Sequence, residues 1–433
     1  MAVATIGQGT VMIACPDARP PAYQAVVGLA QRDLLESFHT AYYHRSPRNS
    51  ASRFARIAPR TIERIDRLSM RRHDPEIPSD RVRIHAEYDL ALAAENRLAG
   101  RHPAARRELA RLRTRRFDRV VASNLERSRP DVLLTFSDVG SEFALPKCVE
   151  LGIGSIVSVV CGEPSEERAI MEIEAETSPD FFPIYLGGAP IDRIELDRLH
   201  ARRVRDVELA DRVLVPSRHL ADRLIDRGAA SEKITIVPYA ADTRRFRPQV
   251  DKEYSNETCT FLFAGGICQR KGIKYLLEAW RRIRRPGLRL LMLGALPLDK
   301  APLEPYRDLA EWPGRVSHSE VAGVMAEADV FVFPSLFEGS AVVTYEALAC
   351  GLPSIVTPNA GSIVRDGIEG FVVPPRDVDA LAAAMERVSR DSNLREHMAK
   401  QARSRAELFD WPRYHASIVA ETSGLIERRS RFD

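Results

Sequence analysis

The stretch FPSLFEGSAVVTYEALACGLPSIVTPNAGSIVRDGIEGFVVPPRDVDAL, residues 333–381, decides the architecture. An apolar run ends at Phe333, and a polar loop with Glu338, Gly339 and Ser340 follows. The spacing then predicts a helix from about Ala341 to Cys350, stopped by Gly351 and Pro353 in the order in which helices usually end. PSIVTP (353–358) and GFVVPP (370–375) are two further strands, and Asp377 stands where the next helix needs an N-cap. Strand, helix and strand in that succession form one parallel β-α-β unit.

The same alternation extends in both directions. Upstream lie TVMIAC (10–15), DVLLTF (131–136), SIVSVV (155–160), RVLVPS (212–217) and ITIVPY (234–239). CTFLFAGG (259–266), LRLLMLG (288–294) and DVFVFPS (329–335) follow. These runs are nearly all apolar, as parallel strands covered on both faces must be. Between them lie amphipathic segments such as KYLLEAWRRIRR (274–285), with Leu276, Leu277, Trp280 and Ile283 on one stripe. At 433 residues the chain exceeds what one core serves. The expectation is an α/β chain with a doubly wound parallel sheet occurring twice. The polar stretch AADTRRFRPQVDKEYSNET (240–258) separates domains at 1–239 and 259–411. After the Trp411-Pro412 break a helix over 412–433 must dock on something, and the first domain offers one surface. Residues 36–120 are Arg-rich and largely helical in pattern.

Composition narrows the class. Hydrophobic content of 45% and charged content of 28% are those of an ordinary globular protein, and a net charge of +3 gives no reason to expect nucleic acid as a partner. The charge is uneven: residues 41–119 hold 20 Arg, no Lys and 10 acids. This is either a general preference for Arg over Lys or a basic face for an anionic membrane or acceptor. None of the six cysteines forms a C-x-x-C pair or a zinc spacing, so buried free thiols are expected. The N-terminus lacks the pattern of a secretion signal, and no apolar run approaches the roughly 20 residues of a bilayer span. A cytoplasmic protein is expected, at most peripheral on the inner face of the membrane.

The chemistry concentrates in the opening stretch. Glu338 precedes the predicted helix and Glu346 lies on its second turn. The helix start at Ala341, Val342 and Val343 brings free N–H groups and a positive dipole end to the same crevice. That arrangement suits an anionic diphosphate flanked by two hydroxyl-bearing sugars. Taken alone, the acidic pair reads more readily as a cap and a surface residue; the full string around it changes that reading.

The ensemble resembles the retaining glycosyltransferases of family 4, the glycosyl transferases group 1, which have the GT-B fold. The resemblance rests on the Glu-x7-Glu signature within FEGSAVVTYEALACGLP and on AGSIVRDGIEGFVVPPRDVDALAAAM. It extends to FLFAGGICQRKGIKYLLEAW (261–280), to the stretch 210–248 and to Trp411-Pro412 with Tyr414. It implies two Rossmann-like domains facing across a cleft, with a UDP- or GDP-sugar donor on the second and a saccharide or lipid-linked acceptor on the first. It implies hexosyl transfer in polysaccharide or glycolipid synthesis with no cofactor and no metal. By position, Glu338 meets the donor sugar and is the candidate catalytic carboxylate. Glu346 holds the ribose, Lys271 grips the diphosphate with Arg270 beside it, and Gly265 and Gly266 let the backbone approach. Gly339, Ser340, Ala341, Val342 and Val343 complete the donor site, and His318 lies where the family contacts the nucleobase.

Two departures stand out. Gly266 occupies a place where the family commonly has arginine, for which Arg270 is the substitute at hand. Cys161-Gly162-Glu163-Pro164 stands where a first-domain histidine is usual, leaving Glu163 as a possible participant. Rival readings are a phosphorylase or epimerase of the same fold, or a catalytically silent nucleotide-sugar or membrane-binding protein. Asp377-Val-Asp379 resembles a metal motif but opens a helix. GIG (152–154) reads as a turn, His39 as core or acceptor-facing, and His200 and His219 as solvated.

Overall fold

The computed structural model describes residues 9–17, 19–43, 73–98, 102–187 and 191–429, apart from the side chains of 318 and 319. The first sheet takes β1 (Val11–Ala14), β2 (Leu35–Thr40), β3 (Val82–Ile84), β4 (Val132–Phe136), β5 (Gly154–Ser158), β6 (Arg212–Val215) and β7 (Ile234–Ile236). Its order is β3-β2-β1-β4-β5-β6-β7. The second takes β8 (Cys259–Ala264), β9 (Leu288–Leu293), β10 (Glu311–Gly314), β11 (Val330–Phe333), β12 (Ser354–Val356) and β13 (Gly370–Val372), in the order β10-β9-β8-β11-β12-β13. Every pairing in the second sheet is parallel. In each sheet the order reverses beside the first strand, at β1/β4 and at β8/β11, which creates the switch point where ligands of such folds bind. The fold is that of two parallel-sheet, Rossmann-like halves.

The helices are α1 (Pro20–Ala30), α2 (Glu87–Leu98), α3 (Pro103–Ser128), α4 (Ala144–Leu151), α5 (Pro164–Thr177), α6 (Arg193–Leu209) and α7 (Arg218–Asp226). Continuing along the chain are α8 (Ile273–Ile283), α9 (His318–Glu327), α10 (Val342–Ala349), α11 (Val378–Arg390), α12 (Ser392–Ala406) and α13 (Trp411–Arg429). The apolar strand runs are buried because helices cover both faces: β1, β4 and β11 are buried at every position. In the second sheet Phe263 stacks on Phe333 at 5.6 Å between ring centroids, and Phe333 on Phe331 at 5.9 Å. These rings seal the floor beneath the strand ends. Asp377 caps α11 by accepting the N–H of Ala380 at 2.8 Å, so its motif is a helix start. Gly152 ends α4 in the left-handed conformation, which is the turn expected of GIG.

Contacts divide the chain into one unit of Met1–Ser158, Asp197–Leu214 and Tyr414–Asp433 and another of Val159–Leu196 and Val215–Arg413. These lines run elsewhere than the sequence boundaries at 239 and 259. The α5 segment packs with the later half because Tyr185, Ile170 and Met171 share a buried cluster with Tyr275, Leu336 and Phe337. Within the first unit, α13 docks through the Tyr414 hydroxyl, which donates to the Pro21 carbonyl at 3.1 Å.

Several expectations need correction. The described residues of 36–120 are mostly helical, in α2 and α3, but β2 and β3 lie there too, and His39 is buried in β2. His200 is buried, and His219 is half-buried with Nε2 at 3.0 Å from Glu166 Oε1, so neither is simply solvated. The basic region falls partly outside the described residues, at 44–72. Within its described part Arg113 pairs with Glu95 and Arg116 with Glu87, both acids of the region itself, and Arg115 pairs with Glu142 beyond it. Among the described residues the cysteines are free, all buried except the half-buried Cys161. No helix among the described residues is long and apolar enough to cross a membrane.

Candidate donor site at the second switch point

Three chain turns build the site at the carboxyl ends of β8, β9 and β11. Gly265 and Gly266 follow β8 directly. Gly294, at the end of β9, has φ of +156°, and a Cβ there would sit 1.7 Å from the Gly265 carbonyl oxygen, so only glycine lets these two strand ends close up. A short turn over Gln269–Lys271 follows β8 and ends at Gly272. Gly272 is left-handed (φ +71°), and a Cβ would meet the Pro334 carbonyl oxygen at 2.0 Å. The Lys-Gly pair is therefore explained locally: glycine seats the turn against the β11 loop, and the lysine before it projects toward Glu338.

The third turn leads from β11 into α10. Ser340 Oγ donates to the Gly361 carbonyl at 2.7 Å, and the Ala341 N–H donates to the Ala360 carbonyl at 3.0 Å. No side chain caps the N-terminus of α10. Its first turn faces a cleft of about 540 Å³, within the range of small-molecule sites. Gly265, Gly266, Lys271, Glu338, Ser340, Ala341, Val342, Val343 and Glu346 all line this cleft.

Charge in the cleft is zoned. Lys271 Nζ lies 2.5 Å from Glu338 Oε1. Arg270 Nη1 is 3.4 Å from the same oxygen and donates to the Phe337 carbonyl at 2.7 Å. Ser335 Oγ adds a contact at 3.3 Å. Burial by itself would raise the Glu338 carboxyl, but Lys271 and Arg270 outweigh it and hold the group below the usual carboxylate range. Glu346 is buried on α10. Arg315, exposed after β10, also lines the cleft and had no signal in the sequence, since a lone arginine in a polar loop carries no periodicity.

Other sequence candidates stand apart. Arg270 supports Glu338 from behind and does not line the cleft. Gly266 does line the cleft, and among the described residues nothing lies within 4 Å of a Cβ placed there. Gly339 packs against backbone: a Cβ would lie 2.5 Å from the Val160 carbonyl oxygen, and its own carbonyl accepts from Ser217 Oγ at 2.6 Å. Glu163 is buried as the N-cap of α5, accepting from Ser165 N at 3.0 Å and Glu166 N at 2.8 Å, and does not line the cleft. The His318 side chain lies outside the described residues. Among the described residues no group of three or more His, Cys, Asp or Glu is placed to hold a metal ion.

Residues 258–391 match the glycosyl transferases group 1 family. The chain is 28% identical over 246 residues to MMP alpha-(1->4)-mannosyltransferase of Mycolicibacterium hassiacum, covering 54% of this chain and 57% of that protein. It is 31% identical over 264 residues to D-inositol 3-phosphate glycosyltransferase of Paenarthrobacter aurescens, covering 55% and 64%. The chain thus spans between 57% and 64% of the length of these two relatives. In fold it is similar to sucrose-phosphate synthase from Thermosynechococcus elongatus, with TM-score 0.67, 17% identity and coverage of 97% of this chain and 100% of that one. It is also similar to Anabaena HepE solved with UDP-glucose, with TM-score 0.60, 14% identity and coverage of 96% and 99%. The fold is accordingly that of the GT-B glycosyltransferases.

Proposed function

We propose that the chain is a retaining glycosyltransferase that moves a hexosyl group from a UDP- or GDP-sugar to an acceptor hydroxyl in glycan or glycolipid synthesis. One observation carries this reading: Lys271, Glu338 and Glu346, drawn from distant stretches, line one cleft at the first turn of α10. The diphosphate would lie between Lys271 and the first-turn N–H groups. These would stabilise the charge that builds on the leaving diphosphate as the glycosidic bond breaks. Glu346 would accept hydrogen bonds from the ribose. Glu338 would accept from the sugar hydroxyls and present its negative charge to a sugar that becomes cationic in the transition state. Lys271 and the helix start would together serve the electrostatic role that a divalent cation serves elsewhere. The HepE complex supports a uridine-diphosphate sugar as the donor class.

A thermal-shift panel of UDP, GDP and ADP with their sugars tests the donor, because a ligand that binds only the folded state raises the melting point. Stabilisation by one nucleoside diphosphate and by its sugar is expected. An unchanged melting point across the panel would remove the basis of the proposal. Release of the nucleoside diphosphate only when acceptor is present separates transfer from epimerase chemistry. Product formed from a sugar phosphate would point to a phosphorylase instead.

A further inference from the structure

The turn that carries Arg270 and Lys271 is held from behind by a buried polar network outside the cleft. Glu174, on α5, is fully buried. Its Oε2 accepts from Gln269 Nε2 at 2.6 Å, and its Oε1 accepts from the Tyr275 hydroxyl and from Arg376 Nε, both at 2.8 Å. Gln269 is fully buried too, and its Oε1 accepts the N–H of Lys274 at 3.1 Å in the first turn of α8. A carboxylate accepts but does not donate, so one amide orientation alone satisfies both contacts. On the same side the Arg270 N–H donates to the Tyr185 carbonyl at 3.1 Å, while the Arg270 carbonyl accepts from the Leu336 N–H at 2.8 Å. The Lys271 turn is clamped between the α5 segment and the β11 loop.

The arrangement is costly for what it would give as stability alone. Arg376 reaches Glu174 from a left-handed backbone (φ +68°), a conformation that non-glycine residues adopt only under constraint. Burying a carboxylate beside a guanidinium that stays 23% exposed is a weak source of stability, because desolvation of the carboxylate offsets their attraction. A network that costs this much and touches the one turn bearing the cleft lysine serves geometry.

We infer that Glu174 is a positioning residue: through Gln269 it sets the Gln269–Lys271 turn and so presents Lys271 to a bound diphosphate. The inference rests on the donor-site reading above. Glu174 itself touches neither substrate nor reacting atoms. In Glu174→Gln two amide NH2 groups face each other at the Gln269 contact, or Gln269 turns over and loses its hold on the Lys274 N–H, or the new amide turns its oxygen to Gln269 and sets its NH2 against the Arg376 Nε–H. The exchange Glu174→Gln with Gln269→Glu removes the conflict. The amide at 174 then donates to the carboxylate at 269, whose other oxygen still accepts from Lys274.

The experiment is calorimetric titration of UDP and of GDP into full-length wild type, Glu174→Gln and the double variant, with melting temperatures alongside. The single variant is expected to bind its nucleotide at least about tenfold more weakly, the scale on which a displaced contact group is felt. The double variant is expected to recover to within about threefold of wild type, so that loss and recovery follow the polarity of one contact. A purely structural role would lower the melting temperature in the single variant and leave affinity unmoved, which would overturn the inference. A double variant as weak as the single one would overturn it as well. Wild type that binds neither nucleotide would instead refute the donor site, and the inference with it. Should Glu174→Gln fail to fold, Gln269→Ala and Tyr275→Phe give the same contrast. Gln269→Ala frees the turn and should weaken binding, whereas Tyr275→Phe leaves the Gln269 contact intact and should not. Equal affinity in that pair would contradict the role.

Discussion

Replacing Glu338 with glutamine separates nucleotide binding from sugar transfer and moves them in opposite directions. Lys271 is engaged with Glu338 at 2.5 Å, and the two side chains are 16% and 14% exposed. A diphosphate that takes Lys271 must compete with that carboxylate and accept its repulsion. Drawing an exposed pair apart costs up to about 1 kcal/mol and breaking a buried one several, so at this depth about 1–2 kcal/mol is set against nucleotide binding. The amide keeps the shape and removes the charge. Glu338→Gln should therefore bind UDP or GDP roughly 5–30 times more tightly, since about 1.4 kcal/mol is tenfold. The same change removes the negative charge beside the sugar, and transfer should fall by about 2–4 kcal/mol of barrier, roughly 30- to 1,000-fold. Calorimetry with the nucleotide and initial rates with its sugar measure the two effects. A variant that binds the nucleotide tenfold more weakly, or transfers at the wild-type rate, would refute this account of Glu338.

The remaining predictions concern its neighbours. Lys271→Ala and Glu346→Gln should each cost about 2–4 kcal/mol of transition-state stabilisation in steady-state kinetics. Lys271→Ala should also weaken inhibition by inorganic diphosphate, which Glu346→Gln should leave intact because its proposed partner is the ribose. Gly272→Ala places a methyl against the Pro334 carbonyl oxygen, 2.0 Å away, at φ of +71°, so thermal unfolding should show a destabilised protein that also binds nucleotide weakly. The depressed Glu338 carboxyl gives a pH signature. Its stabilisation is fully present above the unfolded value, about 4.3, and is lost as pH falls through the lower folded value. Melting temperatures below about pH 4 should therefore fall less steeply in Glu338→Gln than in wild type.

The strands that carry the site were legible because parallel strands covered on both faces must be apolar along their whole length. CTFLFAGG ends in the cleft itself, and DVFVFPS ends three residues before Glu338. The opposite case is β2, LESFHT, which buries Ser37, His39 and Thr40 among its apolar residues and so breaks the pattern. In α6 the buried face holds His200, Arg202 and Asp206, which leaves no hydrophobic stripe to see. Glu338, Glu346 and Lys271 were found through spacing and motif. Arg315 and Gly294 had no local signal, since each matters only through a neighbour brought near by the fold. Most hidden of all was Glu174. Its partners lie about 95 to 202 residues further along the chain, and nothing in α5 itself marks a carboxylate that will be buried beside them.

A structure of the protein crystallised with UDP or GDP tests the central claim most directly. The account predicts phosphate oxygens within hydrogen-bond reach of Lys271 Nζ and the first-turn N–H groups of α10, with the ribose hydroxyls on Glu346. A nucleotide seated elsewhere, with Lys271 still closed on Glu338, would contradict it.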